Sequence, residues 1–284
     1  MKQSDVYLYG QILMTTSLML QNGMPPRDGY GELKARYRLI GGETAVCAAV
    51  LDSLGCSVRM EGTWMGRNAM SGVTEYFRDK KVDMSLLTYD DTFDGLEDFV
   101  LVDGDARTCL GTFTAFQGPE GYRWNRPTAD HLAGCRVAAI DPFFGDASEN
   151  VARLCVEAGL PYVTIDCPPE SYLASHAAIN AVSGEFLRWN FPGEEREKTL
   201  TRYLQSGEGL TIFTSGSGDL LYGRKAGGVK RRPAYRVKAE STLGAGDTFK
   251  AGCTYALLKE MDDDETVSFA AACAAAAVMK FPIP

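Results

Sequence analysis

Histidine is nearly missing from this sequence, with His131 and His176 the only two among 284 residues. A His-based catalytic triad or a multi-histidine metallohydrolase would need one of them, and neither sits in a catalytic motif. Paired cysteines are missing as well. The eight cysteines, at 47, 56, 109, 135, 155, 167, 253 and 273, are scattered singly with no Cys-x-x-Cys, which argues against a zinc site. Several lie inside apolar runs, as the reduced core thiols of a cytosolic protein do. Positive charge is concentrated only at Lys230-Arg231-Arg232, in a chain with 29 Lys plus Arg, 37 Asp plus Glu and a net charge of −8. That balance suits neither nucleic acid nor an anionic membrane, and neither is expected as a partner. Membrane-length apolar runs are also lacking: Phe269 to Met279 is short and alanine-rich. The run Ile12 to Leu20 is broken by Thr15, Thr16 and Ser17, follows Asp5 and lacks a small-x-small site, so it does not read as a leader. The expected setting is the cytoplasm.

What is present is a globular composition, with 45% hydrophobic residues and enough chain to bury a large core. Val6 to Tyr9, stopped by Gly10, reads as a buried strand. Gly41-Gly42 introduces a helix in which Val46, Ala49, Val50 and Leu54 share a face, with Gly55 as its stop. A further helix is expected over Val73 to Arg78. After Pro127 the rhythm is regular. Strands at 137–140, 162–165, 178–182 and 210–213 alternate with helices at 148–158 and 194–205, and two long helices, 246–261 and 264–280, follow. Such alternation implies right-handed crossovers and a mostly parallel sheet covered on both faces, a three-layer α/β/α arrangement. Two segments break the rhythm: the alternating Leu33-Ala35-Tyr37-Leu39 stretch, and two apolar runs, 99–102 and 109–116, on either side of Asp103-Gly104-Asp105. The second reads as a hairpin. We place both, over about 13–40 and 90–117, on a small β-sheet lid inserted in a single domain spanning 1–284.

The richest segment chemically is Ser241-Thr242-Leu243-Gly244-Ala245-Gly246-Asp247-Thr248-Phe249. Small residues let backbone approach a ligand, and the helix that follows offers unpaired N–H groups and partial positive charge. An anion, above all a phosphoryl oxygen, is stabilised there. Asp247, in the first helical turn, can reach a hydroxyl beside that pocket and take its proton. Read locally, the same residues also describe an ordinary helix start. The strand Leu210 to Phe213 running into Thr214-Ser215-Gly216-Ser217-Gly218 adds a small-residue turn over which a nucleotide can lie.

These motifs together resemble the ribokinase-like (PfkB) family of carbohydrate kinases over essentially the whole chain. The C-terminal signature of that family is similar to Ser241–Asp247, continued by Thr248-Phe249-Lys250-Ala251-Gly252, and its Gly-Gly segment to Gly41-Gly42-Glu43-Thr44-Ala45-Val46. Gly62, Gly66 and Gly72 echo later family glycines, with Asn68 where Asp is common. The resemblance implies a parallel α/β sheet with a β lid, and an ATP-dependent phosphoryl transfer to an alcohol. It implies Asp247 as general base, Gly244, Ala245 and Gly246 as the anion hole, and Thr214, Gly216, Gly218, Ser183 and Thr242 around ATP. Arg107 would meet phosphate charge, Thr15, Gly41, Gly42 and Val46 would face the substrate, and Glu185 would serve Mg²⁺ carried with ATP. Thr15 stands where an Asp that contacts sugar hydroxyls is frequent, Val46 replaces an Asn, and Ser241 replaces the Asp opening the signature. A sugar-like acceptor is expected. A nucleoside or vitamin-precursor kinase of the same fold and a non-catalytic ligand-binding relative stay open, as does a homodimer through the lid.

Overall fold

The computed structural model describes residues 3–104, 106–113 and 122–281. Its central layer is a nine-stranded sheet. Strands β1 (Val6–Gly10), β4 (Val58–Gly62), β5 (Val82–Asp83), β8 (Val137–Ile140), β9 (Tyr162–Ile165), β10 (Ile179–Val182) and β11 (Leu210–Phe213) run parallel. Strands β12 (Leu220–Arg224) and β13 (Gly228–Arg232) complete one edge as an antiparallel hairpin. The order is β13-β12-β11-β10-β9-β8-β1-β4-β5.

Alternation along the strands divides the core in two. Val6 and Leu8 of β1 pack with Cys47 and Leu51 of α1 (Glu43–Ser53), Cys253 of α8 (Ala245–Leu258) and Val267 of α9 (Asp263–Val278). Tyr7 and Tyr9 face the other way, onto Val151 and Cys155 of α4 (Asp146–Glu157). On that side Leu200 and Leu204 of α7 (Arg196–Ser206) pack with Phe213. Shorter helices fill the crossovers: α2 (Met70–Phe77), α3 (Ala129–Leu132), α5 (Tyr172–His176) and α6 (Gly184–Asn190). The expected three layers are present, and the strands expected at 137–140, 162–165 and 210–213 have those bounds. Among the described residues no helix is long and apolar enough to cross a membrane.

Strand β4 has no apolar run to announce it, because Arg59 and Glu61 occupy its centre, fully buried. Burying two charges requires partners. Arg59 donates to the carbonyls of His131 (2.8 Å) and Ala133 (3.0 Å). Glu61 accepts from the Tyr7 hydroxyl (2.6 Å) and Asn125 Nδ2 (2.8 Å), with His131 Nδ1 2.8 Å away. One of the two histidines is thus a structural partner of a buried acid.

Both rhythm-breaking segments contribute to a second sheet of four strands, ordered β3-β2-β6-β7. It comprises β2 (Leu13–Leu20), β3 (Leu33–Gly41), β6 (Glu97–Asp103) and β7 (Ala106–Gly111). The interrupted apolar run from Ile12 to Leu20 forms β2 from Leu13 onward. The hairpin expected around Asp103-Gly104 is the β6–β7 pair, with Asp103 opposite Ala106. Asp105 and positions 114–117 of the expected second excursion lie outside the described residues, and β7 ends at Gly111.

Between β1 and β8 the strand order reverses, the place in an open parallel sheet where loops diverge and ligands bind. One side chain ties this point together. Asp141, immediately after β8, accepts from the Gln11 amide (2.9 Å) and the Thr44 hydroxyl (2.9 Å), and forms an ion pair with Lys250 of α8. Both charges are fully buried. Gly10 makes room, since a Cβ there would lie 1.9 Å from Asp141 Oδ2. Removing one member of a buried pair strands the other charge, at a cost of about 3–5 kcal/mol. Asp141→Ala is therefore expected to lower the urea unfolding midpoint strongly, and Lys250→Met added to it to restore most of the loss. An unchanged midpoint in Asp141→Ala would contradict this account of the hub.

Candidate active site

Helix α8 begins at Gly244, whose backbone is left-handed (φ 74°), a conformation glycine adopts without strain. The preceding turn is tight. Ser241 Oγ accepts from the Leu243 amide (3.2 Å), and the Thr242 carbonyl accepts from the Ala245 amide (3.3 Å). No side chain caps the helix, and the amides of Gly246 and Asp247 have no acceptor among the described residues. Gly246 is exposed, with open space where a Cβ would project. A 14-residue helix thus directs its dipole and two free donors into solvent-accessible space.

That space is a cleft of about 920 Å³. The carboxyl ends of the central strands line it through Gln11, Asp166, Ser183 and Thr214, the second sheet through Thr15 and Asp98, and helix α8 through Gly246 and Asp247. Asp247 stands at the junction. Burial pushes its carboxyl up, Lys250 pulls it back, Asp141 raises it, Arg107 lowers it and Asp166 raises it, leaving it at about 6. Glu43, at the start of α1 and in the same cleft, is held well above the usual carboxylate range by burial and by Asp141 and Asp247. Burial alone would lower the Lys250 ammonium, but Asp141, Cys47 and Glu43 outweigh it and raise it. Two acids with elevated affinity for protons therefore sit over a buried ion pair.

The other residues singled out from sequence fall into three groups. Arg107 and Glu185 line one end of the cleft, and Thr242, itself outside the lining, meets Arg107 there. Arg107 Nη1 donates to the Thr242 carbonyl (2.9 Å) and hydroxyl (3.2 Å), and its Nη2 is 4.0 Å from Glu185 Oε2. Ser183 caps α6 by accepting from the Phe186 amide (3.0 Å), and donates its own amide (2.6 Å) and hydroxyl (3.0 Å) to Asp166. Thr15, Gly41, Gly42 and Val46 all line the cleft at the second sheet and α1. Gly41 is required there because a Cβ would fall 1.9 Å from Thr15 Oγ1. Gly216 and Gly218 lie beyond the lining. Their turn folds on itself through the Gly218 amide and the Ser215 carbonyl (2.8 Å). Ala245 also lies outside the lining, its amide already used by Thr242.

Glu43, Asp98, Asp141, Asp166 and Lys250 have no site role assigned from the sequence. Lys250 carried a signal, a lysine between Phe249 and Ala251 on an apolar helix one turn after Asp247. Asp166 has a positive φ of 45°, unusual for a residue other than glycine and a mark of a constrained position.

Asp247 is held at a proton affinity above that of an exposed carboxylate, so its ionisation opposes folding above about pH 6 and has no effect below the unfolded value near 4. Asp247→Asn is accordingly expected to melt higher than the parent at pH 8 and at the same temperature at pH 4. A lower midpoint at pH 8 would reverse the sign assigned to this charge.

The geometry has counterparts in known proteins. Solved structures similar to this chain include a ribokinase of Arabidopsis thaliana in complex with ribose and ATP, at 17% identity and a TM-score of 0.79, covering 99% of this chain and 94% of that one. A ribokinase of Thermotoga maritima matches at 17% identity and 0.78, over 99% and 94%. A nucleoside kinase of Burkholderia thailandensis in complex with inosine matches at 15% and 0.77, over 97% and 90%. The central sheet with its smaller second sheet is the ribokinase fold. Curated protein sequences give no match to the chain. The family model of the pfkB family carbohydrate kinases matches residues 133–281, more than half of the sequence and all of the segment that carries Asp166, Glu185 and the start of α8. This chain belongs to the pfkB family of carbohydrate kinases.

Proposed function

We propose that this protein transfers the γ-phosphoryl group of ATP to a hydroxyl of a sugar or sugar-like small molecule. The observation that carries the reading is the uncapped start of α8, whose free amides open into the cleft that Asp247 also lines. Asp247 removes the proton of the attacking hydroxyl as its oxygen bonds to the γ-phosphorus and the bond to ADP breaks. A carboxylate poised at about 6 suits this role, since it is ionised at neutral pH yet still basic. The free amides of Gly246 and Asp247 hold the charge that develops on the phosphoryl oxygens, and Arg107 adds a cation at that end of the cleft. The second sheet acts as a lid that keeps water from the reacting groups.

Mg²⁺ carried on ATP phosphates keeps most of its waters and needs few protein ligands. Asp166 and Glu185 line the same end of the cleft, and the charge of Glu185 adds to the burial that raises Asp166. These two carboxylates would hold the ion, directly or through its waters. When bound, Mg²⁺ neutralises phosphate charge.

A nucleoside acceptor is the second reading, favoured by the apolar lining of Met14, Ile40, Val46 and Tyr76, against which a flat base can pack.

Asp247→Asn and Asp247→Ala are expected to reduce ATP-dependent turnover by roughly 10²–10⁴ while ATP binding, measured by calorimetry, persists. Near-normal turnover in either variant would refute the assignment. In the parent enzyme, kcat/KM is expected to rise with pH through about 6 as Asp247 loses its proton, and then to level off. A flat profile between pH 5 and pH 8 would exclude Asp247 as the base.

A further inference from the structure

One side chain in the cleft has a polar atom that the protein leaves unused. Asp98 lies on β6 of the small sheet, with its backbone paired to Thr15 on one side and Gly111 on the other. Gly111 brings no side chain to meet it. Burial raises the proton affinity of the Asp98 carboxyl and the neighbouring Thr15 hydroxyl partly offsets that rise, while Gly41 gives the threonine its space. Asp98 Oδ1 is nevertheless buried with no partner among the described residues, and Asp98 lines the cleft. A buried carboxylate oxygen without a donor is costly unless something supplies one. Of the other charged groups lining this part of the cleft, Arg38 and Glu75 are occupied. Arg38 donates to the Asn68 carbonyl and reaches Glu97 at 3.4 Å, and Glu75 holds Arg78.

The charge balance narrows what can supply the donor. Around the acceptor space stand Glu43, Glu75, Asp98 and Asp247, with Arg38 as the cation among these lining residues. Arg107 is engaged with Thr242 and Glu185 at the phosphate end. An acceptor bearing a phosphate or carboxylate would meet like charge there with no free cation, whereas a hydroxyl would satisfy Asp98 without bringing charge.

We infer that Asp98 selects the acceptor: its Oδ1 receives a hydrogen bond from a hydroxyl other than the one phosphorylated, restricting the cleft to uncharged polyhydroxylated molecules. The inference rests on the phosphoryl-transfer reading for the placement of the acceptor. Its direct test is binding, which does not require turnover.

The experiment titrates the intact protein, with a non-hydrolysable ATP analogue present, with D-ribose, D-fructose, inosine, fructose 6-phosphate and gluconate. At least one of the three uncharged compounds is expected to bind, and neither anion to bind more tightly. Asp98→Ala is expected to weaken that ligand at least tenfold and Asp98→Asn, which keeps an acceptor oxygen, by less. Deoxy analogues of the ligand identify the hydroxyl: removing it should weaken binding to the parent and leave binding to Asp98→Ala unchanged. The ligand-free melting temperature of Asp98→Ala should equal or exceed that of the parent, because an unpaired buried acid is removed. Binding of inosine in preference to the free sugars assigns the hydroxyl to a nucleoside, and the opposite order to a free sugar. The inference is overturned by unchanged affinity in Asp98→Ala, by tighter binding of either anion, by failure of all three uncharged compounds to bind, or by a large fall in melting temperature, which would make Asp98 structural. ADP release measured in parallel with ATP separates the two readings. An Asp98-dependent ligand that yields no ADP rejects phosphoryl transfer and leaves the selection by Asp98 standing.

Discussion

The Asp141–Lys250 ion pair is the constraint around which the rest of this molecule is arranged. It joins the end of β8 to the first turns of α8, and the other oxygen of Asp141 gathers the chain leaving β1 and the first turn of α1. Four segments distant in sequence thus meet at the point where the strand order reverses. The buried pair has little net stabilising value in itself, because desolvation offsets most of the attraction. Its effect is positional. Lys250 lies one helical turn beyond Asp247, so fixing the lysine fixes the height and rotation of the turn that carries the uncapped amides.

The same pair sets the electrostatic character of the cleft. Lys250 is the nearest buried positive charge to Asp247, yet it is already shared with Asp141, so its pull on Asp247 is only partly effective against burial. A free lysine in the same enclosure would make the carboxyl more acidic, and loss of the lysine would raise its proton affinity further. The elevated proton affinities of Asp247 and Glu43 follow first from burial, and then from several acids standing around one buried cation. Such an arrangement opposes folding locally and is tolerated because the hydrophobic layers on either side of the sheet are extensive.

The layers were legible because their physics is local in sequence. Val137 to Ile140, Tyr162 to Ile165 and Leu210 to Phe213 are short apolar runs between helices, and the start of α8 is written in consecutive small residues. Strand β4 was not legible, since Arg59 and Glu61 interrupt the apolar pattern and are reconciled with burial only by partners from distant residues. The acids of the cleft were hidden for a related reason. Asp98 and Asp166 belong to or follow ordinary strands, and nothing in one dimension says that their side chains line one cleft. Gly216 and Gly218 sit in a turn closed by the Gly218 amide, beside the cleft that Thr214 lines. Glycine spacing reports permissible backbone shapes, and a shape has more than one use.

Strands β6 and β7 are adjacent in one hydrogen-bonded sheet, with Val102 opposite Arg107. Asp98 on the first strand and Arg107 on the second are therefore mounted on a common plate, one facing the acceptor space and the other the end of the cleft where Thr242 and Glu185 meet. A rigid tilt of that plate advances or withdraws both side chains in a single stroke. Were a small molecule bound against Asp98 to tilt that plate, the Arg107 cation at the other end would move with it.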